Sequence, residues 1–369
     1  MKVAILGANG FIGGRLFELW QRRGPHRPRA VVRAPAGLAR VARFAAPDWR
    51  IADARDEAAL TAGFKGCDAV VHCVVGDERV IGATIEPVYR AAAAAGIRDL
   101  VYLSSAAVHG LNPPSGTNED SPLRDDQPLA YNNAKVGAER RLRALASDGQ
   151  VRVTILRPGV VVGPRSRWVT DAVEALLESR AWWIGGGAGI CNSLHVDNLA
   201  HAIEQVLATP SAAGGAYLLG DAEMVTWREF YLGLAAAVGR DERAFAEAAP
   251  ADVNAARSWR ERLGALKASG PVQAVLPWFS PRLKGAVNAA LARWQTPPAP
   301  NPWALPAPPA PPVASLEMTL LFACATKLPH EKAARALAYR PPVSWPEGFR
   351  RTVLWLEAAG YPLARPAVR

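Results

Sequence analysis

Tyr131-Asn132-Asn133-Ala134-Lys135 sets a phenol and an ammonium four residues apart. On a helix that spacing puts both on one face, where they can act at one point. A nearby ammonium favours phenolate, so the pair predicts a tyrosine that exchanges a proton with a substrate oxygen near neutral pH. Upstream, Leu103-Ser104-Ser105-Ala106-Ala107-Val108-His109-Gly110 brings hydroxyls to the end of an apolar strand. Near the start, Gly7-Ala8-Asn9-Gly10-Phe11-Ile12-Gly13-Gly14 follows the strand Val3-Ala4-Ile5-Leu6 and opens an amphipathic helix to about Trp20. Strand, glycine turn and helix is the context of a dinucleotide-binding turn. In that role Gly7 permits the tight turn, Gly10 lets the backbone approach a pyrophosphate, and Gly13 lets the helix pack closely on the strand. The helix N-terminus offers free N–H groups and a positive dipole end to the phosphates.

The elements that must hold these residues alternate. Arg29–Val32 is a second strand ending at Arg33, and Trp49–Asp53 a third, with Asp56 starting a helix. An acidic residue at the end of the second strand would hold a ribose 2′-hydroxyl, whereas an arginine suits a 2′-phosphate. Arg33 therefore favours NADP(H), with NAD(H) the alternative. Asp68–Gly76 is a buried fourth strand opening into a loop. An alanine-rich helix around Tyr89–Ala95 and the strand Leu100–Leu103 come next. The Tyr131 helix, running to about Leu145, and the strand Val151–Leu156, which breaks at Arg157-Pro158-Gly159, complete the series. Alternation of this kind predicts an α/β fold, a Rossmann-type doubly wound parallel sheet, with a smaller C-terminal substrate-binding region. The expected division is a dinucleotide-binding domain over 1–165, to which 192–220 return, and a substrate-binding region over 166–191 and 221–369.

The 369 residues carry a net charge of +10 and are 50% hydrophobic. Arginine is scattered through an Ala- and Pro-rich chain with no nucleic-acid-binding signature, so a nucleic-acid partner is not expected. A small anionic cofactor or substrate fits the charge better. No apolar run reaches the roughly 18 to 20 residues that span a bilayer. Cys67, Cys73, Cys191 and Cys324 form no CxxC pair and no metal-ligand spacing with the six histidines. Reduced thiols, no metal and a cytoplasmic location are the expectation.

Together these segments resemble the extended short-chain dehydrogenase/reductase family, also called the NAD-dependent epimerase/dehydratase family, over about 1–240 and again over 327–360. The features appear in the family's order: Gly7, Gly10 and Gly13; Asp53; Ser105 before Ala-Ala-Val-His-Gly; Tyr131 and Lys135; Arg157-Pro158 with Gly163-Pro164; and His195-Val196-Asp197-Asn198. The resemblance implies that Tyr131 is the proton donor or acceptor at a substrate carbonyl or alcohol. It implies that Lys135 lowers the phenol's pKa and bonds the nicotinamide ribose, and that Ser105 holds the same substrate oxygen. Ser104 would be a strand-end cap and His109 structural. Cofactor contacts are implied for Gly7, Asn9, Gly10, Phe11, Ile12, Gly13, Arg33, Asp53, Ala54, Val74, Val75, Tyr131, Lys135, Pro158, Gly159 and Val160.

Two departures narrow the chemistry. The family's sugar-nucleotide 4,6-dehydratases place Asp-Glu where this chain has Ala106-Ala107, so the groups for dehydration are missing. Its nucleotide-sugar enzymes usually carry Asn where this chain has Val160. The chain looks closer to the 3β-hydroxysteroid dehydrogenase and dihydroflavonol reductase-like branch. The expected function is an NAD(P)-dependent oxidoreductase acting on a secondary alcohol or ketone of a fairly apolar small molecule. A nucleotide-sugar 4-epimerase using the same Ser-Tyr-Lys set is the alternative, and a cofactor sensor a weaker one. Residues 241–313 are an insertion rich in Trp, Arg and Pro. It is expected to cover the substrate pocket as an apolar lid anchored by Trp278 and Trp294. Peripheral membrane contact through a basic amphipathic helix at 281–294, or a homodimer contact, are the other readings.

Overall fold

The computed structural model describes residues 1–253 and 311–364. Seven parallel strands form the central sheet: β1 (Lys2–Leu6), β2 (Arg27–Val32), β3 (Asp48–Ile51), β4 (Ala69–His72), β5 (Asp99–Leu103), β6 (Arg152–Pro158) and β7 (Ala216–Leu219). Their order across the sheet is β7-β6-β5-β4-β1-β2-β3. Side chains alternate across a strand, so Val3 and Ile5 of β1 pack on one face while Ala4 and Leu6 pack on the other. The first face is covered by α1 (Phe11–Arg23) and α6 (Val196–Ala208). The second is covered by α2 (Glu57–Phe64), α3 (Glu78–Ala94) and α4 (Ala130–Ala146). Helices on both faces require strands apolar on both sides, which is why Ala69–His72 is buried throughout. This is the expected doubly wound α/β fold.

A separate aromatic core holds the smaller region together. Trp227 and Phe230 of α7 (Trp227–Ala237) pack with Val173 and Leu176 of α5 (Arg167–Leu177). Leu321 and Phe322 of α8 (Leu316–Phe322) and Leu356 of α10 (Trp345–Ala358) join them; α9 (Glu331–Leu337) packs on the first face of the sheet instead. Thr226 starts α7 with a full capping box to Glu229, the two-way exchange that satisfies orphan N–H groups. The margins of the expected insertion are tied in. Ala246–Glu247 pairs with Trp182–Trp183, and Ala249 bridges to Val313. Trp278, Trp294 and the 281–294 helix lie outside the described residues. Among the described residues no helix is long and apolar enough to cross a membrane.

Candidate active site

Strand order reverses between β1 and β4, and ligands of open α/β sheets bind beyond the strand C-termini at such a point. A cavity of about 620 Å³ opens there. Its floor comes from the loops after β4, β5 and β6, one wall from the first turns of α4, and the facing wall from α5 and α8.

The start of α4 brings Tyr131 and Lys135 to the cavity together. Lys135 is 2% exposed, and its Nζ donates to the Leu103 carbonyl oxygen at 2.8 Å. That nitrogen lies 3.4 Å from the Tyr102 hydroxyl and 5.9 Å from the centre of the Tyr131 ring. Ser105, just past β5, lines the same cavity, and its Oγ accepts the Ala107 N–H at 3.1 Å. Ser104 turns inward instead and donates to Glu139 Oε1 at 2.6 Å. Glu139, one turn beyond Lys135 on α4, is fully buried and takes a two-pronged bond from Arg157, at 3.0 Å from Nε and 2.7 Å from Nη2. Arg157 in turn lies 3.1 Å from His109 Nε2. Such a pair is tolerable in the interior because each charge meets an opposite one in good geometry. His109 is accordingly structural, its imidazole pushed down to about 4 by burial and then by the Arg157 charge.

The electrostatics differ from the sequence expectation at one point. Lys135 was to lower the phenol of Tyr131, yet the phenol is pushed up to about 12. Burial is the largest cause and the charge of Glu317 the next, with Ser105 pulling the other way. The ammonium donates to the Leu103 carbonyl, 5.9 Å from the centre of the Tyr131 ring, and does not offset the burial of the phenol. Burial in turn pushes Lys135 down to about 8, against the pull of Glu139.

On the cofactor side the glycine turn has the geometry its sequence demands. Gly7 has φ +87°, a conformation that side chains disfavour, and its N–H reaches the Val31 carbonyl at 3.0 Å. A Cβ at Gly13 would stand 2.5 Å from the Gly7 oxygen, so only glycine lets α1 approach so closely. No side chain caps α1, which leaves its first N–H groups for a phosphate. Among the expected cofactor residues, Phe11, Ile12, Val74, Val75, Tyr131, Lys135, Pro158, Gly159 and Val160 line the cavity. Gly7, Asn9, Gly10 and Gly13 form the turn beside it, while Arg33, Asp53 and Ala54 lie beyond the ends of β2 and β3. Asp53 is held down to about 2, chiefly by its bonds from Arg55, with Arg33 a weaker contributor. Sequence reasoning missed Arg40, whose Nη1 donates to the Asn9 carbonyl at 2.7 Å, and the cavity residues Trp168, Asn192 and Glu317.

A family model for the NAD dependent epimerase/dehydratase family matches residues 3–220. The 2-alkyl-3-oxoalkanoate reductase of Stenotrophomonas maltophilia (strain K279a) is 30% identical over 264 residues, 65% of this chain and 76% of that protein. The decarboxylating sterol-4-alpha-carboxylate 3-dehydrogenase of Dictyostelium discoideum is 25% identical, over 62% of this chain and 74% of its own length. The dTDP-glucose 4,6-dehydratase of Streptomyces venezuelae, solved with NAD bound, shares the fold with a TM-score of 0.69 at 21% identity, covering 97% of each chain. The family match spans the sheet from β1 to β7, and on that ground this chain belongs to the NAD-dependent epimerase/dehydratase family, the extended short-chain dehydrogenases/reductases, as an NAD-dependent enzyme.

Proposed function

We propose that the enzyme is an oxidoreductase working at a secondary alcohol or ketone of a fairly apolar small molecule, with Tyr131 as its acid/base. One observation carries this reading: Tyr131, Ser105 and Lys135 meet in a cavity whose other walls are mainly apolar, with Leu111, Val160, Trp168, Leu321 and Leu328 among them. A nicotinamide cofactor, when bound, supplies or accepts the hydride. The chain's own part is position and protons. Ser105 and Tyr131 hold the substrate oxygen; in reduction Tyr131 gives it the phenolic proton, and in oxidation takes it back. Lys135, with its pKa brought to about 8, steadies the phenolate left behind and can return a proton near neutral pH. In this reading 1–165 with 192–220 carry the cofactor, and 166–191 with 221–369 build the substrate wall.

NADP(H) is our preferred cofactor and NAD(H) the alternative. The glycine turn, the uncapped first turn of α1 and Arg40 beside Asn9 fit the shared pyrophosphate. Support for the 2′-phosphate is the exposed Arg33 just past β2. The same Ser-Tyr-Lys set would serve a nucleotide-sugar 4-epimerase, as the family's name suggests, but Val160 favours the apolar reading. An epimerase consumes no net cofactor and a sensor turns nothing over, so reduced-nicotinamide absorbance with apolar ketones separates the oxidoreductase from both. In that assay Tyr131→Phe should fall below a few per cent of wild-type turnover while cofactor affinity holds, because only the exchangeable proton is lost. Greater residual activity would assign the proton to another group.

A further inference from the structure

The cavity contains one carboxylate that the chemistry above does not use. Glu317 stands in the first turn of α8, after the residues matched by the family model, on the wall facing Tyr131. Ser315 caps that turn through the Met318 N–H, and Ala251 N–H bonds Thr319 Oγ1 at 2.9 Å, so the backbone carrying Glu317 is fixed. No hydrogen bond or ion pair occupies its carboxylate among the described residues. Among the described residues that line the cavity, the two cations are engaged elsewhere: Lys135 with the Leu103 carbonyl, and Arg167 with Asp171 at 3.4 Å on the exposed face of α5. Leu321, one turn further along α8, lines the same cavity, and the Glu317 side chain is exposed towards its solvent. A substrate that fills the cavity displaces that water, and the carboxylate is then costly unless a donor on the substrate meets it. It accepts hydrogen bonds only, and those from charged donors are the strongest.

We propose that Glu317 is the recognition point for a hydrogen-bond-donating end of the substrate, a hydroxyl or ammonium carried on an otherwise apolar frame, and that it excludes substrates bearing a carboxylate or phosphate at that end. This rests on the reading that the cavity holds the substrate. The protein packed around Glu317 raises its carboxyl above the ordinary range, and its charge raises the Tyr131 phenol, both as expected of a group facing the reaction space. A site built around a polar partner rejects analogues that lack or oppose it far more strongly than an apolar pocket rejects a change of size.

The test uses three matched ketones, 8-amino-2-octanone, 8-hydroxy-2-octanone and 7-oxooctanoate, which differ only at the end remote from the carbonyl. Their affinities for the full-length protein saturated with NADPH are read by calorimetry, which needs no turnover. The expected order is ammonium, then hydroxyl, then carboxylate, with at least about tenfold between first and last. Glu317→Gln keeps the shape and should compress that range to within about threefold; Glu317→Leu should reverse the preference towards unsubstituted 2-octanone. Equal wild-type affinities, or an order that survives Glu317→Gln, would overturn the role of Glu317 while leaving the cavity as the ketone site. Binding of NADPH with none of the probes would overturn the ketone reading itself, and this inference with it.

Discussion

Lys135→Met should change stability and its pH dependence in a way that only a desolvated ammonium produces. The side chain is 2% exposed, and burial brings its pKa from 10.5 to about 8. At 1.36 kcal/mol per pKa unit, that displacement corresponds to about 3 kcal/mol of cost in the folded state. Methionine fills a similar volume without the charge, but it leaves the Leu103 carbonyl without its donor, worth about 1–3 kcal/mol. At neutral pH the two nearly offset, and the variant should match or slightly exceed wild type. The pH dependence separates them. Between pH 8 and 10.5 the unfolded lysine still holds its proton while the folded one has lost it, so wild-type stability rises with pH in that window. The lost hydrogen bond has no such dependence. Wild type should therefore gain roughly 2.5 kcal/mol on Lys135→Met between pH 7 and pH 10. Urea unfolding of both proteins, followed by tryptophan fluorescence, measures the difference, in which other titrating groups cancel. A gap that stays constant from pH 7 to pH 10 would refute the reasoning, since no proton would then be linked to burying Lys135.

The two serines should separate by readout. Ser105→Ala should lower kcat by on the order of 10²–10³, as for the loss of one oxyanion-type donor, with little change in stability. Ser104→Ala should spare kcat and cost about 1–3 kcal/mol, because buried Glu139 loses a donor; the opposite pattern would put the register of the strand end in error. Arg33→Asp should weaken NADPH and move preference towards NADH, through repulsion and a lost charge-assisted bond. Parallel titrations of both cofactors decide it, and an unchanged ratio would leave Arg33 a surface residue.

What could be read from the sequence was local. Gly7, Gly10 and Gly13 announce their turn because the conformation of each glycine is needed within a few residues, and Val3–Leu6 announces a strand by composition. Tyr131 and Lys135 share a face by helical period alone. The start of α3 was not legible: the sequence suggested a helix near Tyr89–Ala95, yet Asp77 caps it through Val80 N–H and it continues past an internal Pro87. Helix α8 escaped notice because seven residues are too few to show a period. Arg40 on the Asn9 carbonyl joins positions 31 apart, and Ser104 on Glu139 joins positions 35 apart. Pairings across such separations are set by how the sheet stacks its loops, and no periodicity encodes them.

The site divides along the same line. Its reacting wall rests on Ser104, Glu139, Arg157 and His109, a buried polar web that ties β5, α4 and β6 together beneath Ser105 and Lys135. Removing Glu139 or Arg157 would strand a charge in the interior, so this wall resists both movement and substitution. The opposite wall is built otherwise. Trp168, Glu317, Leu321 and Leu328 come from α5, from α8 and from the loop that follows it, and α5 and α8 pack into a second core of aromatic side chains. Apolar packing tolerates exchange of shape and polarity at its margin far better than a buried ion pair does. Three of those four residues also lie beyond residue 220, where the family match ends. Tyr131, Lys135 and the web beneath them thus lie within the residues matched by the family model, whereas α8 lies outside them. If the cavity holds the substrate as proposed, variation at α8 would change what it accepts without disturbing how Tyr131 and Lys135 are held.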